Sequence, residues 1–151
     1  MMHIRPALEI DVPAIARLAR DLASHVADPD PGTETDALLQ YGFGDNRWFD
    51  CTVAEIDAEV VGFASYGKRY EIHTRSRRLW LGDLVVTRER RNRGVGKALV
   101  AALRQKAVEM GCDAIVLDLW TENGSARSFY RDVGAVRQAE LEVLLLPVEE
   151  K

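Results

Sequence analysis

Two short groups of residues in this 151-residue chain have the types and spacing needed to hold an anion and to handle a proton. The first begins where an apolar, β-branched run ends in a basic turn, and Gly94 and Gly96 then open an amphipathic segment that continues to Met110. This order indicates a strand, a tight loop and a helix N-terminus, which presents unsatisfied N–H groups and a partial positive charge. Because glycine has no Cβ, a phosphate can approach the backbone closely. The pattern predicts a diphosphate-binding loop.

Two common phosphate motifs do not fit this loop. The dinucleotide fingerprint needs a third glycine three residues after the second, where this chain has Leu99. The P-loop needs Gly, four residues, then Gly-Lys and Ser or Thr, but Arg91 stands at its first position and Ala98 at its last. Both of those nucleotide-binding classes are therefore excluded.

The second group lies further along the chain, beyond one predicted strand. Asn123 opens a short predicted helix, the pair Phe129 and Tyr130 follows six and seven residues later, and Gly134 comes four residues after Tyr130. An isolated Phe-Tyr pair is typical of a half-buried aromatic anchor on a short helix. Because this group lies downstream of the glycine loop, beyond one predicted strand, we favour a functional role for both the loop and the Asn123–Gly134 group.

Together, the two groups resemble the landmark motifs of the GNAT N-acetyltransferase superfamily. The coenzyme A loop of that family reads Arg or Gln, two residues, Gly, one residue, and Gly or Ala, and Arg91, Gly94 and Gly96 fill it. The resemblance implies transfer of an acetyl group from acetyl-CoA to a primary amine of a small molecule, by direct attack in a ternary complex. Acetylation of a protein N-terminus or lysine, and an acyl-CoA-binding module without catalysis, are the alternatives.

The resemblance also implies roles for individual residues. Loop N–H groups would bind the pyrophosphate, the preceding strand edge would pair with the pantetheine arm, and a strand N–H near Val85 or Val86 would stabilise the oxyanion. Asn123 would contact the cofactor, and Tyr130 would lie at its sulfur as a catalytic group. The implied cofactor-binding residues are Leu84, Val85, Val86, Arg91, Asn92, Arg93, Gly94, Val95, Gly96, Lys97, Asn123 and Tyr130.

Asp83 is the candidate general base. Diamine acetyltransferases of this superfamily carry Glu-Asp and then an apolar residue in the corresponding strand, whereas here Gly82 replaces the Glu. An unperturbed Asp, with a pKa near 3.9, needs a water relay to collect a proton from an alkyl ammonium with a pKa near 10.4. Glu122 and His73 are the alternative bases.

The predicted elements follow the order of that family: β, α, a weak α, three β, α, β, α, β. The fold class is α/β, as one GNAT domain over residues 1–151 with a central mixed, mostly antiparallel sheet, a splayed strand pair and flanking helices. The predicted strands begin at Ile4 and cover residues 51–56, 59–66, 79–87, 114–119 and 136–146, with residues 68–78 as a turn. The helices start at Asp11 as N-cap, near residue 35, at the glycine loop and at Asn123.

The sequence makes two further predictions, one for the inner face of a helix and one for the last strand. The helix after the glycine loop is predicted to turn Val95, Leu99, Ala102, Leu103 and Val108 inward. The family usually ends with two strands, but the tail here has one strand-like run. The final strand is missing, very short or completed by a second subunit, so a homodimer is a possible assembly.

Composition narrows the range of partners. The net charge of −4 argues against general nucleic-acid binding, while basic residues concentrate at 68–78 and 88–97, which favours a small anionic ligand. The chain has neither a stretch of roughly 20 apolar residues nor a signal-peptide core, so a cytoplasmic protein without membrane contact is expected. Two cysteines and three histidines show no metal-ligand spacing, and no metal is expected.

Overall fold

The computed structural model describes residues 1–149 and divides into two compact units, Met1–Leu117 and the segment from Asp118 onward. The first unit contains all the strands and the first three helices. The strands are β1 (Met2–Pro6), β2 (Asp50–Ile56), β3 (Glu59–Glu71), β4 (Ser76–Val86) and β5 (Ala114–Val116). The helices are α1 (Val12–His25), α2 (Asp36–Phe43), α3 (Val95–Glu109) and α4 (Gly124–Asp132), the last of which belongs to the second unit.

The five strands form one mixed sheet in the order β1-β2-β3-β4-β5. The first four are antiparallel neighbours, and β5 runs parallel to β4 after the α3 crossover. A parallel neighbour needs such a crossover, since a tight turn can only reverse the chain. The predicted mixed, mostly antiparallel sheet with flanking helices is confirmed.

Helices cover both faces of this sheet. Ile15 and Leu18 of α1 pack with Phe63 and Val85 in one buried cluster. Neighbouring strand residues point to opposite faces, and a Cβ at Gly62 would lie 3.4 Å from side-chain atoms of both Val95 and Leu99 in α3. The absence of a side chain at Gly62 therefore lets α3 approach the face opposite α1.

The inward face of α3 follows an i, i+4 series. Val95, Leu99, Leu103 and Ala107 are buried, so the predicted inner positions Val95, Leu99 and Leu103 are confirmed. Val108 is 71% exposed, and its predicted inward position is wrong. One residue rotates a helix by about 100°, so the burial of Ala107 turns Val108 toward solvent.

The hairpin predicted between residues 51–56 and 59–66 is confirmed. Asp57 and Ala58 connect β2 to β3 with φ values of 53° and 64°. Two consecutive left-handed residues are characteristic of a type I′ turn, whose twist matches that of paired strands.

The basic stretch 68–78 is mostly strand, so its interpretation as a turn was wrong. β3 continues to Glu71 and β4 begins at Ser76, which leaves four residues for the turn. Arg69 lies directly opposite Arg78 in this ladder. Facing like charges destabilise a strand pair, but Arg69 pairs with Glu71 at 3.3 Å and Arg78 with Asp113 at 2.9 Å.

Between residues 114 and 146, the sequence predicted more strand than the structure contains. β5 covers only Ala114–Val116 of the predicted 114–119 and is partly buried. Residues 136–146 form no strand, and Leu144, Leu145 and Leu146 are 85%, 87% and 91% exposed. Alternating apolar residues favour a strand only where a neighbouring strand completes the ladder, and within residues 1–149 the tail has no such partner.

An ion-pair network ties the start of the chain to the sheet. Asp11 precedes α1 as predicted, but its carboxylate does not cap that helix. Instead it accepts hydrogen bonds from the Arg5 guanidinium, at 2.7 and 3.0 Å, and from the Leu8 N–H at 2.7 Å. Arg5 also donates to Glu55 of β2 at 2.8 Å. This near-buried carboxylate therefore connects β1, α1 and β2.

Candidate functional site

The predicted anion loop begins where β4 leaves the sheet. The Thr87 N–H donates to the Val61 carbonyl at 2.8 Å, and a short 3-10 turn then covers Arg88–Arg90. The Arg91 guanidinium Nε donates to the Val86 carbonyl at 3.0 Å. The Arg91 side chain therefore fixes the start of the loop against the end of the strand.

Two left-handed residues then reverse the chain into α3. Asn92 has φ 60°, and Gly94, the N-cap, has φ 84°. A Cβ at Gly94 would meet no atom within 4 Å, so the requirement for glycine here comes from backbone conformation and not from crowding. Val95 is 2% exposed and anchors the first turn of the helix.

The N-terminus of α3 presents donors that could bind an anion. The first intrahelical bond at this end runs from the Ala98 N–H to the Gly94 carbonyl at 3.0 Å. The N–H groups of Val95, Gly96 and Lys97 precede it and have no acceptor within the helix. Arg91, Arg93 and Lys97 are exposed around them, so the backbone donors lie in a positively charged region.

The end of β4 has a free edge next to this loop. β5 pairs with β4 only through Arg78, Leu79 and Trp80. From Leu81 to Val86, β4 continues without a β5 partner among the described residues. This geometry agrees with the predicted splayed pair. Because Thr87 bonds to Val61 and bonded pairs alternate along an antiparallel ladder, the main-chain groups of Leu84 and Val86 point to the free side and those of Val85 to β3. The Val86 carbonyl already accepts from Arg91, so the Leu84 N–H and carbonyl and the Val86 N–H remain for a ligand.

A bulge interrupts β4 just before that free edge. Ala64 lies opposite Leu84, whereas Tyr66 lies opposite Leu81, so Gly82 and Asp83 together face Ser65. The Asp83 N–H donates to the Ser65 hydroxyl at 2.9 Å. Ser65 was not predicted from the sequence, where the available signal was Gly82 inside a strand pattern, since such a glycine often marks a bulge.

The Asp83 carboxyl is solvent-accessible but has protein atoms around much of it. This partial desolvation raises its pKa above the ordinary Asp value, and the negative charge of Asp28 adds to the effect. The direction is the one a general base needs, since a carboxylate with a raised pKa is a better match for an ammonium proton. Of the alternative bases, His73 lies in the exposed β3–β4 turn and Glu122 is exposed in the second unit.

The second unit contains the other predicted site residues. The Asn123 side-chain oxygen accepts hydrogen bonds from the Ala126 N–H and the Ser125 hydroxyl, each at 3.2 Å, so Asn123 is a true N-cap of α4. Tyr130 is partly buried, and its ring meets that of Phe129 edge to face, with centroids 5.1 Å apart. Helix α4 ends before Gly134, as predicted, with φ 97° at that glycine.

The structure thus brings Asp83, residues 84–86 and the loop residues 91–97 together at one end of β4. Asn123 and Tyr130 lie on one helix of the second unit. The described residues contain no group of three or more His, Cys, Asp or Glu placed to hold a metal. Among them, no helix has both the length and the apolar character that a membrane span requires.

Comparison with known proteins identifies the family. A family model described as "Acetyltransferase (GNAT) family" matches residues 14–135, which include the loop, the β4 edge and α4. The chain belongs to this family. It is therefore a GNAT-type N-acetyltransferase, an acyltransferase enzyme, and the family generally uses acetyl-CoA as co-substrate.

Curated relatives of this GNAT acetyltransferase fall into more than one substrate group. It is 33% identical to the thialysine N-epsilon-acetyltransferase of Sus scrofa, over 92% of this chain and 86% of the relative. It is 28% identical to N-alpha-acetyltransferase 30 of Dictyostelium discoideum, over 78% of this chain and 69% of the relative. These relatives support amine acetylation as the reaction.

Solved structures show the same fold. The ribosomal-protein-alanine N-acetyltransferase of Brucella melitensis biovar Abortus 2308 superposes with a TM-score of 0.78, covering 97% of this chain and 100% of that one. At 22% identity, this likeness concerns the fold alone.

Proposed function

We propose that this GNAT acetyltransferase acetylates the primary amine of a small molecule by direct attack on acetyl-CoA in a ternary complex. The observation that carries the proposal is the junction of β4 and α3, where a free strand edge leads directly into an open helix N-terminus. The thialysine N-epsilon-acetyltransferase relative favours a small amine as acceptor.

The residues at this junction fit the acyl donor. Within the predicted loop 91–97, the N–H groups of Val95, Gly96 and Lys97 match an anionic diphosphate, and Gly94 leaves the approach to them free of a Cβ. The Arg91 N–H already donates to the Arg88 carbonyl at 3.3 Å. On the free side of residues 84–86, the Leu84 N–H and carbonyl and the Val86 N–H suit the amides of a pantetheine arm. Acetyl-CoA would supply the activated acetyl group, and an N–H near Val85 or Val86 would donate to its carbonyl oxygen.

Removal of a proton from the acceptor is the main chemical task left to the protein. At pH 7 an alkyl ammonium with a pKa near 10.4 is neutral to only about one part in 10³, which costs roughly 4 to 5 kcal/mol. Asp83 collects this proton, directly or through water, and its raised pKa makes it a better acceptor than an ordinary Asp.

Tyr130 acts on the leaving group. The match of Asn123, Phe129, Tyr130 and Gly134 to the family pattern supports this assignment. A phenol with a pKa near 10 is a weaker acid than a thiol near 8.5, so complete proton transfer to the thiolate is uphill by about 2 kcal/mol. Hydrogen bonding to the developing thiolate is therefore its main contribution. Asn123 caps α4 and contacts the coenzyme from there.

A protein N-terminus is the second candidate acceptor. N-alpha-acetyltransferase 30 is among the relatives of this chain, and its name refers to an α-amino group. A single α-amine and a small-molecule amine differ little at the reacting nitrogen, so binding outside the reaction centre decides between them.

The exposed tail supports assembly as a homodimer. Leu141, Val143 and Leu145 alternate with Glu142 and Leu144, and all three are more than 60% exposed. Pairing of residues 141–146 with a second copy would bury these side chains and complete the missing strand. Light scattering coupled to size exclusion measures the mass, which is twice the 16.9 kDa chain in the proposed dimer.

The function is tested with a panel of acceptors, read by thiol release from acetyl-CoA. The panel contains thialysine, lysine, spermidine, an aminoglycoside and peptides with free N-termini, each against a blank without amine. We expect thiol release that depends on the amine, with the highest kcat/KM for a small molecule. Turnover of peptides alone would favour the second candidate, and thiol release unaffected by any amine would contradict amine acetylation by this chain.

A further inference from the structure

The bulge in β4 creates a backbone donor that the ladder cannot satisfy. At a bulge, one extra residue on one strand has no partner opposite, and its N–H must find another acceptor. Here that group is the Asp83 N–H, and the Ser65 hydroxyl accepts it at 2.9 Å. Ser65 thus holds the backbone of Asp83 from the neighbouring strand.

Gly82 makes room for this contact. A Cβ at Gly82 would lie 2.9 Å from the Ser65 Oγ, closer than real Cβ atoms approach another atom. The space that a side chain at position 82 would occupy is therefore used by the serine hydroxyl. Gly82 and Ser65 form a matched pair across the bulge.

The bulge also sets where Asp83 points. Leu79 and Leu81 are buried before it and Val85 is buried after it, and the extra residue keeps both segments in their packed positions. The charged and titratable groups around the Asp83 carboxyl are Asp28, in the segment after α1, and Cys51 on β2. A shift of the bulge would move the carboxyl relative to these groups and to the β4 edge.

We propose that Ser65 is a positioning residue for the reaction, holding the Gly82–Asp83 bulge so that the Asp83 carboxyl faces the acceptor amine. This inference rests on the proposed role of Asp83 as base. Ser65 itself touches no reacting atom.

The first test replaces the hydroxyl. Ser65→Ala is expected to lower kcat about tenfold, the loss associated with one hydrogen bond of about 1.4 kcal/mol, while KM for acetyl-CoA stays within about twofold. Ser65→Thr retains a hydroxyl and is expected to restore most of kcat. Ser76→Ala, at the far end of the same strand pair, is the matched control and leaves kcat unchanged.

A pair of variants separates positioning from packing. Gly82→Ala places a methyl group against the Ser65 hydroxyl and is expected to lower both Tm and kcat. In Ser65→Ala/Gly82→Ala the crowding is relieved, so Tm should recover while kcat stays low. Recovery of wild-type kcat in the double variant would mean that Ser65 acts only through packing and would overturn the proposal.

The decisive readout does not depend on turnover. Carbon-13 NMR of Asp-labelled protein follows the titration of the Asp83 carboxyl in the wild type and in Ser65→Ala. We expect the midpoint to fall toward the ordinary Asp value when the bulge relaxes. An unchanged midpoint together with an unchanged kcat would refute the positioning role. If the wild type releases no thiol with any amine, the proposed function fails, but the titration still decides whether Ser65 controls Asp83.

Discussion

The proposed role of Tyr130 at the leaving group depends on one atom, its phenolic oxygen. Tyr130→Phe removes only the phenolic oxygen and keeps the ring that meets Phe129 edge to face. We expect kcat to fall about 100-fold, within the range for general acid or hydrogen-bond assistance, with KM for acetyl-CoA changed by less than about twofold. Tyr70→Phe, on the exposed β3–β4 hairpin, is the control. Unchanged turnover would remove Tyr130 from the mechanism.

Individual polar residues were predictable where their partners are local in sequence. Asn123 was expected to open α4, and its side chain does so because the acceptor and the Ala126 N–H are three residues apart. Asp11 has the same helix-capping chemistry, but Arg5 on the neighbouring strand binds its carboxylate more strongly. Which hydrogen-bond partner such a carboxylate takes depends on tertiary contacts, and residue spacing in the sequence does not reveal those contacts.

The loop between β4 and α3 depends on the left-handed backbone conformation of Gly94. Gly94→Ala adds a Cβ at φ 84°, where a left-handed L-residue costs roughly 1 to 2 kcal/mol, although the methyl group meets no neighbour. The loop should relax and its N–H groups should lose alignment, so we expect KM for acetyl-CoA to rise about tenfold.

Gly67→Ala provides the matched control for this loop variant. Gly67 lies within β3 and a Cβ there would also meet nothing within 4 Å, but its φ is not left-handed. It should therefore leave KM for acetyl-CoA unchanged. An equal rise in both variants would show that the loop conformation is not responsible.

Elements with strong local signals were predicted well, and those that depend on pairing were not. The strand, glycine loop and helix of residues 79–110 follow from β-branched, glycine and amphipathic patterns. The β3–β4 extension was missed because its arginines resemble a loop, whereas Glu71 and Asp113 neutralise two of them in the folded chain. The bulge at Gly82 was missed because register is set between strands.

The Arg5–Asp11–Glu55 network predicts how stability of the molecule depends on pH. Hydrogen bonding from Arg5 and from the Leu8 N–H lowers the pKa of the Asp11 carboxyl, against an opposing effect of burial. A lowered folded-state pKa stabilises the protein above the unfolded value of about 3.9, and this contribution is lost as pH falls through the folded value. Asp11→Asn should destabilise the protein by about 2 to 3 kcal/mol at pH 7, because it leaves Arg5 with a weakened partner.

Urea unfolding at pH 7 and at pH 3 measures this effect. The difference between wild type and Asp11→Asn should shrink at the lower pH, since the Asp11 carboxyl of the unfolded chain is largely protonated there and unfolding then takes up a proton. Asp30→Asn alters the exposed Arg20 pair, whose side chains are more than half exposed, and should change stability little at either pH. A difference for Asp11→Asn that stays constant between the two pH values would contradict the lowered pKa.

The unpaired tail has a consequence for how readily the chain aggregates. Residues 143–146 read Val-Leu-Leu-Leu and are exposed, and they follow all five strands of the sheet in the chain. Short apolar segments with high β-propensity are hazards for aggregation, and natural sequences flank them with charges or proline. Glu140, Glu142 and Pro147 stand in those flanking positions. Such flanking residues disfavour strand stacking between chains, so the tail can stay exposed with a lower risk of aggregation than its apolar residues alone would give.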